Sequence, residues 1–129
     1  MDMMLSDAEF DERITRAMDE LPQRYITGLD NVVIVMADNP TPEQRTKMQL
    51  GEHSLLLGLY EGVPLPERGG AGSMLPDKIT LFKNQLLQLA ANETELFEQI
   101  KRTLWHEMAH YYGLSHERMD ELQRRPRNS

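Results

Sequence analysis

The feature that most constrains this chain is the string from His106 to His116, which holds three of its four histidines within eleven residues. Residues four apart in an α-helix lie one turn above each other, so His106 and His110 can direct ring nitrogens to one metal ion. A third ligand must approach from another direction, because a four-coordinate site is tetrahedral. Gly113 favours the positive backbone dihedral that commonly ends a helix. The string therefore predicts a helix, a turn and a second helix around a metal.

The chemistry of this metal site follows from the residues that the chain contains and lacks. There is no cysteine, which excludes thiolate ligands, disulfides and a cysteine nucleophile. Three neutral histidines suit zinc and leave its fourth position open for water, as a catalytic site requires. Glu107 can take the proton of that water during attack on a carbonyl. The pattern predicts a zinc-dependent hydrolase with His106, His110 and His116 as ligands and Glu107 as general base. His53 stands apart and is left out of the site.

The charge and the N-terminus of the chain limit its partners and its location. With 21 acidic against 14 basic residues the formal net charge is -7, which disfavours nucleic acid and anionic lipid. The N-terminus lacks the basic start and the continuous apolar stretch of a signal peptide, and no later run is long enough to span a bilayer. We therefore expect a cytoplasmic protein without nucleic-acid or membrane partners.

Helical periodicity predicts an N-terminal helix, a long helix that carries the histidines, and a short last helix. Ser6 and Glu9 form a candidate capping box in front of an apolar stripe that ends near Pro22. Asn92 is the candidate N-cap of the long helix, whose apolar stripe lies roughly opposite the histidines. Ser115 is a natural N-cap for the last helix. The histidines should therefore face a cleft while the apolar stripe holds their helix against a sheet.

Three segments predict the strands of that sheet. The apolar, β-branched run Val32–Met36 suits a central strand that is buried on both faces. Residues 55–60 fit a strand or a piece of helix, and the neighbouring glycines favour the strand. Lys78–Phe82 alternates polar and apolar residues, as expected of a half-solvated or edge strand at the border of the sheet. The stretch Glu61–Asp77 is rich in glycine and proline and predicts a long loop beside the site.

Together these elements predict one domain over residues 1–129, in the α/β class and of the α+β kind. Its small mixed sheet packs on the N-terminal helix and on the helix that bears the histidines. A short C-terminal helix completes the arrangement. A chain of this length can bury a real core but is too short for a large enzyme with a walled substrate cleft.

The string from His106 to His116 resembles the HExxHxxGxxH zinc signature of the metzincin peptidases at all five defined positions. More closely, the chain resembles small bacterial zincin-like proteins, which are predicted zinc-dependent proteases with a matrix-metalloprotease-like domain. The similarity also includes Leu59–Leu65 and Leu75–Leu81. This resemblance implies that the three histidines of the string bind zinc and that Glu107 is the catalytic acid/base. The implied fold is a minimal α/β zincin sheet with an active-site helix behind it.

The chain departs from the metzincin pattern downstream of the third histidine. Metzincins carry a methionine-containing turn there that forms a floor beneath the metal, and Met119 lies too close to His116 to serve as that turn. Substrate selection would then depend on the upper rim of the site. In zincins an extended peptide pairs with an edge strand above the metal, so Lys78–Phe82 is the candidate strand for a peptide or protein substrate.

Three functional hypotheses follow. The first is a metallopeptidase that cleaves peptide bonds with zinc-activated water and Glu107 as general base. The second is a zinc-binding regulatory or interaction domain without catalysis, which needs only the histidines and agrees with the small size and the missing methionine turn. The third is a metal-dependent endoribonuclease, because another family carries three histidines at this spacing. That family generally lacks the glutamate after the first histidine, and the net charge of -7 also argues against it.

Overall fold

The computed structural model describes residues 4–51, 53–69 and 75–124, and the side chain of His116 lies outside the described part. The sequence also predicts that the last helix stops at Pro126, and this residue lies outside the described part. In chain order the elements are α1 (Asp7–Glu20), α2 (Gln23–Thr27), β1 (Val32–Ala37), α3 (Pro42–Lys47), β2 (Gly58–Glu61), a 3-10 turn (Leu65–Glu67), β3 (Asp77–Phe82), α4 (Lys83–Leu89), α5 (Glu93–Tyr112) and α6 (His116–Arg124).

The three predicted helices are confirmed as α1, α5 and α6. Local side-chain chemistry fixes their ends. Before α1, the Ser6 hydroxyl accepts the backbone N–H of Glu9 at 3.1 Å, and the Glu9 carboxylate accepts that of Ser6 at 3.0 Å. Asn92 caps α5, which ends at Gly113 in the left-handed conformation with φ 72°. Ser115 accepts a first-turn N–H of α6 at 3.1 Å.

The order of the strands contradicts two predictions. The sheet runs β1-β3-β2, with β1 parallel and β2 antiparallel to β3. Residues 78–82 therefore form the central strand, and their prediction as an edge strand that docks a substrate is wrong. The prediction of Val32–Met36 as central is also wrong, since β1 lies at an edge and Val33 and Val35 are 41% and 37% exposed.

A polar residue caused the error on β3. Thr80 is only 3% exposed although its hydroxyl suggested a solvated face, because a β-branched side chain packs well on a buried pleated surface. Lys78, by contrast, is exposed as expected. For the other strand, β2 begins at Gly58, so the preference for a strand over residues 55–60 is confirmed in its second half.

The core lies between the sheet and the two longest helices. Helix α1 packs against α5, and α5 packs against β2 and β3. The fully buried side chains include those of Phe10, Ile79, Leu81, Leu96, Ile100, Leu104 and Met108. Leu122 joins this core from α6. The predicted α+β class with a small mixed sheet is confirmed. Within the described residues, no helix combines the length and apolar composition needed to cross a bilayer.

A buried ion pair fixes the segment between β2 and β3. The Arg68 guanidinium donates to the Asp77 carboxylate at 2.6 Å, and both side chains are buried. Asp77 also accepts hydrogen bonds from the Tyr60 hydroxyl and, at 3.3 Å, from the Val63 backbone. Burial by itself would raise the pKa of Asp77, but these hydrogen bonds outweigh it and hold that pKa below its ordinary value. The pair therefore anchors the described part of the predicted loop.

Candidate metal site

His106 and His110 come together one turn apart near the C-terminal end of α5. Their Nε2 atoms are 3.1 Å apart. A tetrahedral zinc ion with bonds of about 2.0–2.1 Å holds two nitrogens roughly 3.3 Å apart, so this pair fits one ion. Glu107 lies beside them, and one candidate ligand atom from each of the three residues falls within 4.8 Å of the others. The two imidazoles are donors that suit zinc.

The two faces of α5 differ as the sequence predicted. Leu104, Met108 and Tyr111 are fully buried and hold the helix against the sheet. His110 is exposed and His106 is half-buried on the opposite side. Residues three and four apart share a helical face, so the same periodicity that buries the apolar stripe places both imidazoles on the other side of α5.

Glu107 is a buried acid without a cationic partner among the described residues. It is only 7% exposed, and it accepts a hydrogen bond from the backbone N–H of Tyr60. Burial raises the pKa of Glu107 to about 7, and the Tyr60 hydrogen bond opposes part of that rise. A carboxyl group with this pKa can both take and release a proton near neutral pH.

A cleft of about 260 Å³ lies between β2 and α5 and is bordered by His106. It is lined by Leu56, Leu57, Gly58, Gln99, Arg102, Thr103, His106 and Glu107. The strand and the helix approach so closely that a Cβ added at Gly58 would lie 2.6 Å from Cγ2 of Thr103. Sequence reasoning missed this cleft. The signal for it was Gly58, because a glycine inside a strand often marks close approach of another element.

The outer edge of β2 faces this cleft. The Phe82 N–H donates to the Leu57 carbonyl at 2.9 Å, so Leu57 directs its carbonyl towards β3. Alternate residues of an antiparallel strand direct their backbone groups to opposite sides, which places those of Gly58 and Tyr60 on the outer side. The hydrogen bond from Tyr60 to Glu107 agrees with this placement. In the described part of the chain, β2 is therefore the unpaired edge beside the histidines.

The third predicted ligand begins the next helix. The backbone of His116 starts α6, three residues after Gly113 ends α5, as the predicted helix, turn and helix require. A Cβ added at Gly113 would lie 2.8 Å from Pro66, so the turn also packs against the loop. The His116 side chain is outside the described residues, and its role as ligand stays a prediction. His53 is exposed and is not part of the cluster of His106, Glu107 and His110.

A helix that presents two histidines and a buried glutamate beneath the edge of a small mixed sheet defines the zincin class of metal-binding folds. A family model described as "Zincin-like metallopeptidase" matches residues 29–125, and the chain belongs to that family. The family implies a metal ion, usually zinc.

A solved structure supports the same fold. The chain is similar to a conserved hypothetical protein from Thermus thermophilus, with 23% sequence identity and a TM-score of 0.56. The match covers 84% of this chain and 94% of that chain. At this identity the likeness bears on the fold alone. No curated protein matches the chain.

Proposed function

We propose that this protein is a zinc-dependent metallopeptidase, in which His106, His110 and His116 bind zinc and Glu107 is the general base. The observation that carries the proposal is the buried Glu107, which has no cationic partner among the described residues and lies directly beside two imidazole nitrogens that fit one ion. Bound zinc would polarise the scissile carbonyl and acidify a water molecule. Membership of the zincin-like family supports this chemistry.

Glu107 moves the proton in the proposed reaction. Its carboxylate accepts a proton from the attacking water and, once protonated, delivers it to the leaving amine nitrogen. The backbone N–H of Tyr60 holds the carboxylate in place. Burial limits competition from bulk water. In this proposal the three histidines would hold the zinc ion, and Glu107 carries out acid–base catalysis.

The geometry favours β2 as the strand that receives the substrate. Its outer edge carries the backbone groups of Gly58 and lies beside His106 and Glu107 in the cleft wall. An extended peptide can add to such an edge through main-chain hydrogen bonds. β2 therefore takes the role that the sequence assigned to residues 78–82.

Metal analysis and a peptide-library cleavage assay with mass-spectrometric readout test the proposal. The Glu107→Gln variant should retain zinc and lose cleavage by about 10²–10⁴-fold, because general acid–base catalysis contributes that much. His116→Ala should lose zinc. Glu98→Gln changes an exposed glutamate on the same helix and is the matched control, which should cleave like the parent.

Two results would overturn the proposal. Cleavage that persists in Glu107→Gln would remove the residue from the mechanism. Tight zinc binding with no cleavage of any library peptide would instead favour a regulatory or interaction domain without catalysis.

A further inference from the structure

Arg102 lies in the wall of the cleft, one helical turn before His106. Its side chain is exposed and forms no ion pair among the described residues. The nearest acid along the helix face, Glu98, is 3.5 Å from Lys101 instead. The cleft wall thus presents a guanidinium whose five donors are available to a ligand.

The other side chains of the wall restrict what can occupy the cleft. Leu56 is buried and Leu57 half-buried on the strand side, and Thr103 lies on the helix side. Glu107 is the only other charged group among the described lining residues, and it is buried whereas Arg102 is exposed. The guanidinium therefore stands in the cleft wall without an ion-pair partner among the described residues. A cationic group on an apolar wall suits a ligand with an apolar body and an anionic end.

The spacing of Arg102 and His106 sets where that anionic end would lie. One helical turn advances about 5.4 Å. An extended peptide advances about 3.3 Å per residue, so this offset corresponds to between one and two residues. If an extended peptide runs along α5 with its scissile carbonyl at the histidines, the residue one or two positions along the peptide lies at Arg102.

We propose that Arg102 selects peptides that present a carboxylate one or two residues from the scissile bond. The carboxylate is either the peptide's own C-terminus or an aspartate or glutamate side chain, since a guanidinium binds both through the same paired hydrogen bonds. The overall charge of -7 does not prevent this, because charges more than about 8–10 Å away are largely screened at physiological salt. The inference rests on the proposed peptidase function and adds its substrate class.

Binding is measured on the full-length, zinc-loaded Glu107→Gln variant, which should not turn over. The first pair of probes is an acetylated six-residue peptide of alanine and leucine that ends in either a free carboxylate or a carboxamide. The second pair is amidated and carries aspartate or asparagine at one interior position. Calorimetric titration should give about tenfold tighter binding to the acidic member of at least one pair. The first pair reports a terminal carboxylate and the second a side-chain carboxylate.

Variants of the same background assign the preference to Arg102. Arg102→Gln should reduce the acid-to-neutral ratio, which is the affinity for the acidic peptide of a pair divided by that for the neutral peptide, to about one. Arg102→Glu should instead favour a lysine-containing peptide. Arg16→Gln removes an exposed arginine from α1 and should keep the ratio. A ratio below twofold in the parent, or a ratio that survives Arg102→Gln, overturns the proposal. If the wild-type protein cleaves no peptide but the ratio follows Arg102, the peptidase function fails and carboxylate selection stands as a binding property.

Discussion

Asp77 and Glu107 are both buried carboxylates, and the structure treats them in opposite ways. Asp77 is 1% exposed, and although burial opposes the shift, hydrogen bonds from Tyr60, Arg68 and Val63 lower its pKa. Glu107 is 7% exposed, and burial raises its pKa to about 7 against a single backbone hydrogen bond from Tyr60. Tyr60 contacts both carboxylates, because its hydroxyl donates to Asp77 and its backbone N–H donates to Glu107. We call Asp77 the satisfied acid, because Arg68 is its cationic partner, and Glu107 the unsatisfied acid, because it has no cationic partner among the described residues.

This difference agrees with a structural role for Asp77 and with the catalytic role that we propose for Glu107. A buried carboxylate with a complete set of donors stabilises the fold once it is ionised. A buried carboxylate without a cation weakens the fold at neutral pH, and such perturbed groups cluster at functional sites. The comparison teaches that burial alone does not distinguish the two acids, whereas the direction of the pKa shift does.

The largest expected effect is on the satisfied acid. Asp77→Asn should lower the free energy of unfolding by about 3–5 kcal/mol, because it leaves the buried Arg68 without its counter-charge. Chemical denaturation at pH 7 measures this change. Because the pKa of Asp77 is lowered in the folded state, its contribution is present above its ordinary value of 3.8 and is lost as the pH falls further. The difference in the free energy of unfolding between the wild type and Asp77→Asn should therefore shrink as the pH falls below 3.8.

Asp11→Asn is the control for that experiment, since Asp11 is an exposed carboxylate on α1. It should change stability by less than about 0.5 kcal/mol. If Asp77→Asn behaved like this control, the pair with Arg68 would not be a structural anchor and the comparison would fail.

The unsatisfied acid should respond in the opposite direction and by less. In metal-free protein, Glu107→Gln should raise the free energy of unfolding above pH 7 by about 1–3 kcal/mol, because the wild type must ionise a buried carboxyl there. The folded pKa is raised, so the gain should decline between pH 7 and the ordinary value of 4.5 and vanish below it. Thermal unfolding in chelator across this range measures the gain. A loss of stability above pH 7 would contradict the assignment.

The smallest effect concerns the residue that contacts both acids. Tyr60→Phe removes the hydroxyl that donates to Asp77 but keeps the backbone N–H that donates to Glu107. It should cost about 1 kcal/mol of stability, the usual contribution of one hydrogen bond, and should leave cleavage near the parent rate. Tyr25→Phe, on α2, is the matched control. A large loss of cleavage in Tyr60→Phe without a loss of stability would show that the two acids are coupled.

Helices α1, α5 and α6 and the histidine pair were predictable because their signals are local, whereas the short helices α2, α3 and α4 were not predicted. The Asn92 cap, the Gly113 stop and the four-residue spacing of His106 and His110 all act within a few turns of one helix. The strand order was not predictable in the same way, because it depends on contacts between segments far apart in sequence. Thr80 shows the problem, since its hydroxyl gives no sign of the two strands that flank it.

The cleft was also hidden from the sequence. Its wall combines residues of β2 and α5, and only the folded chain brings Gly58 within contact of Thr103. Arg102 was one arginine among several until the structure placed it in that wall. The environment of Glu107 was equally invisible, because its raised pKa depends on burial by surrounding elements rather than on its neighbours in sequence.

The docking of β2 against α5 has a consequence for the order in which the chain acquires its properties during folding. Helix formation is fast and local, whereas pairing between distant strands is slow. A nascent chain therefore gains its histidine pair as soon as α5 forms, but the hydrogen bond from Tyr60 to Glu107 forms only when β2 arrives. On the proposed function, an incompletely folded molecule would bind metal before its base is in place, so completion of the tertiary structure would guard against premature hydrolysis.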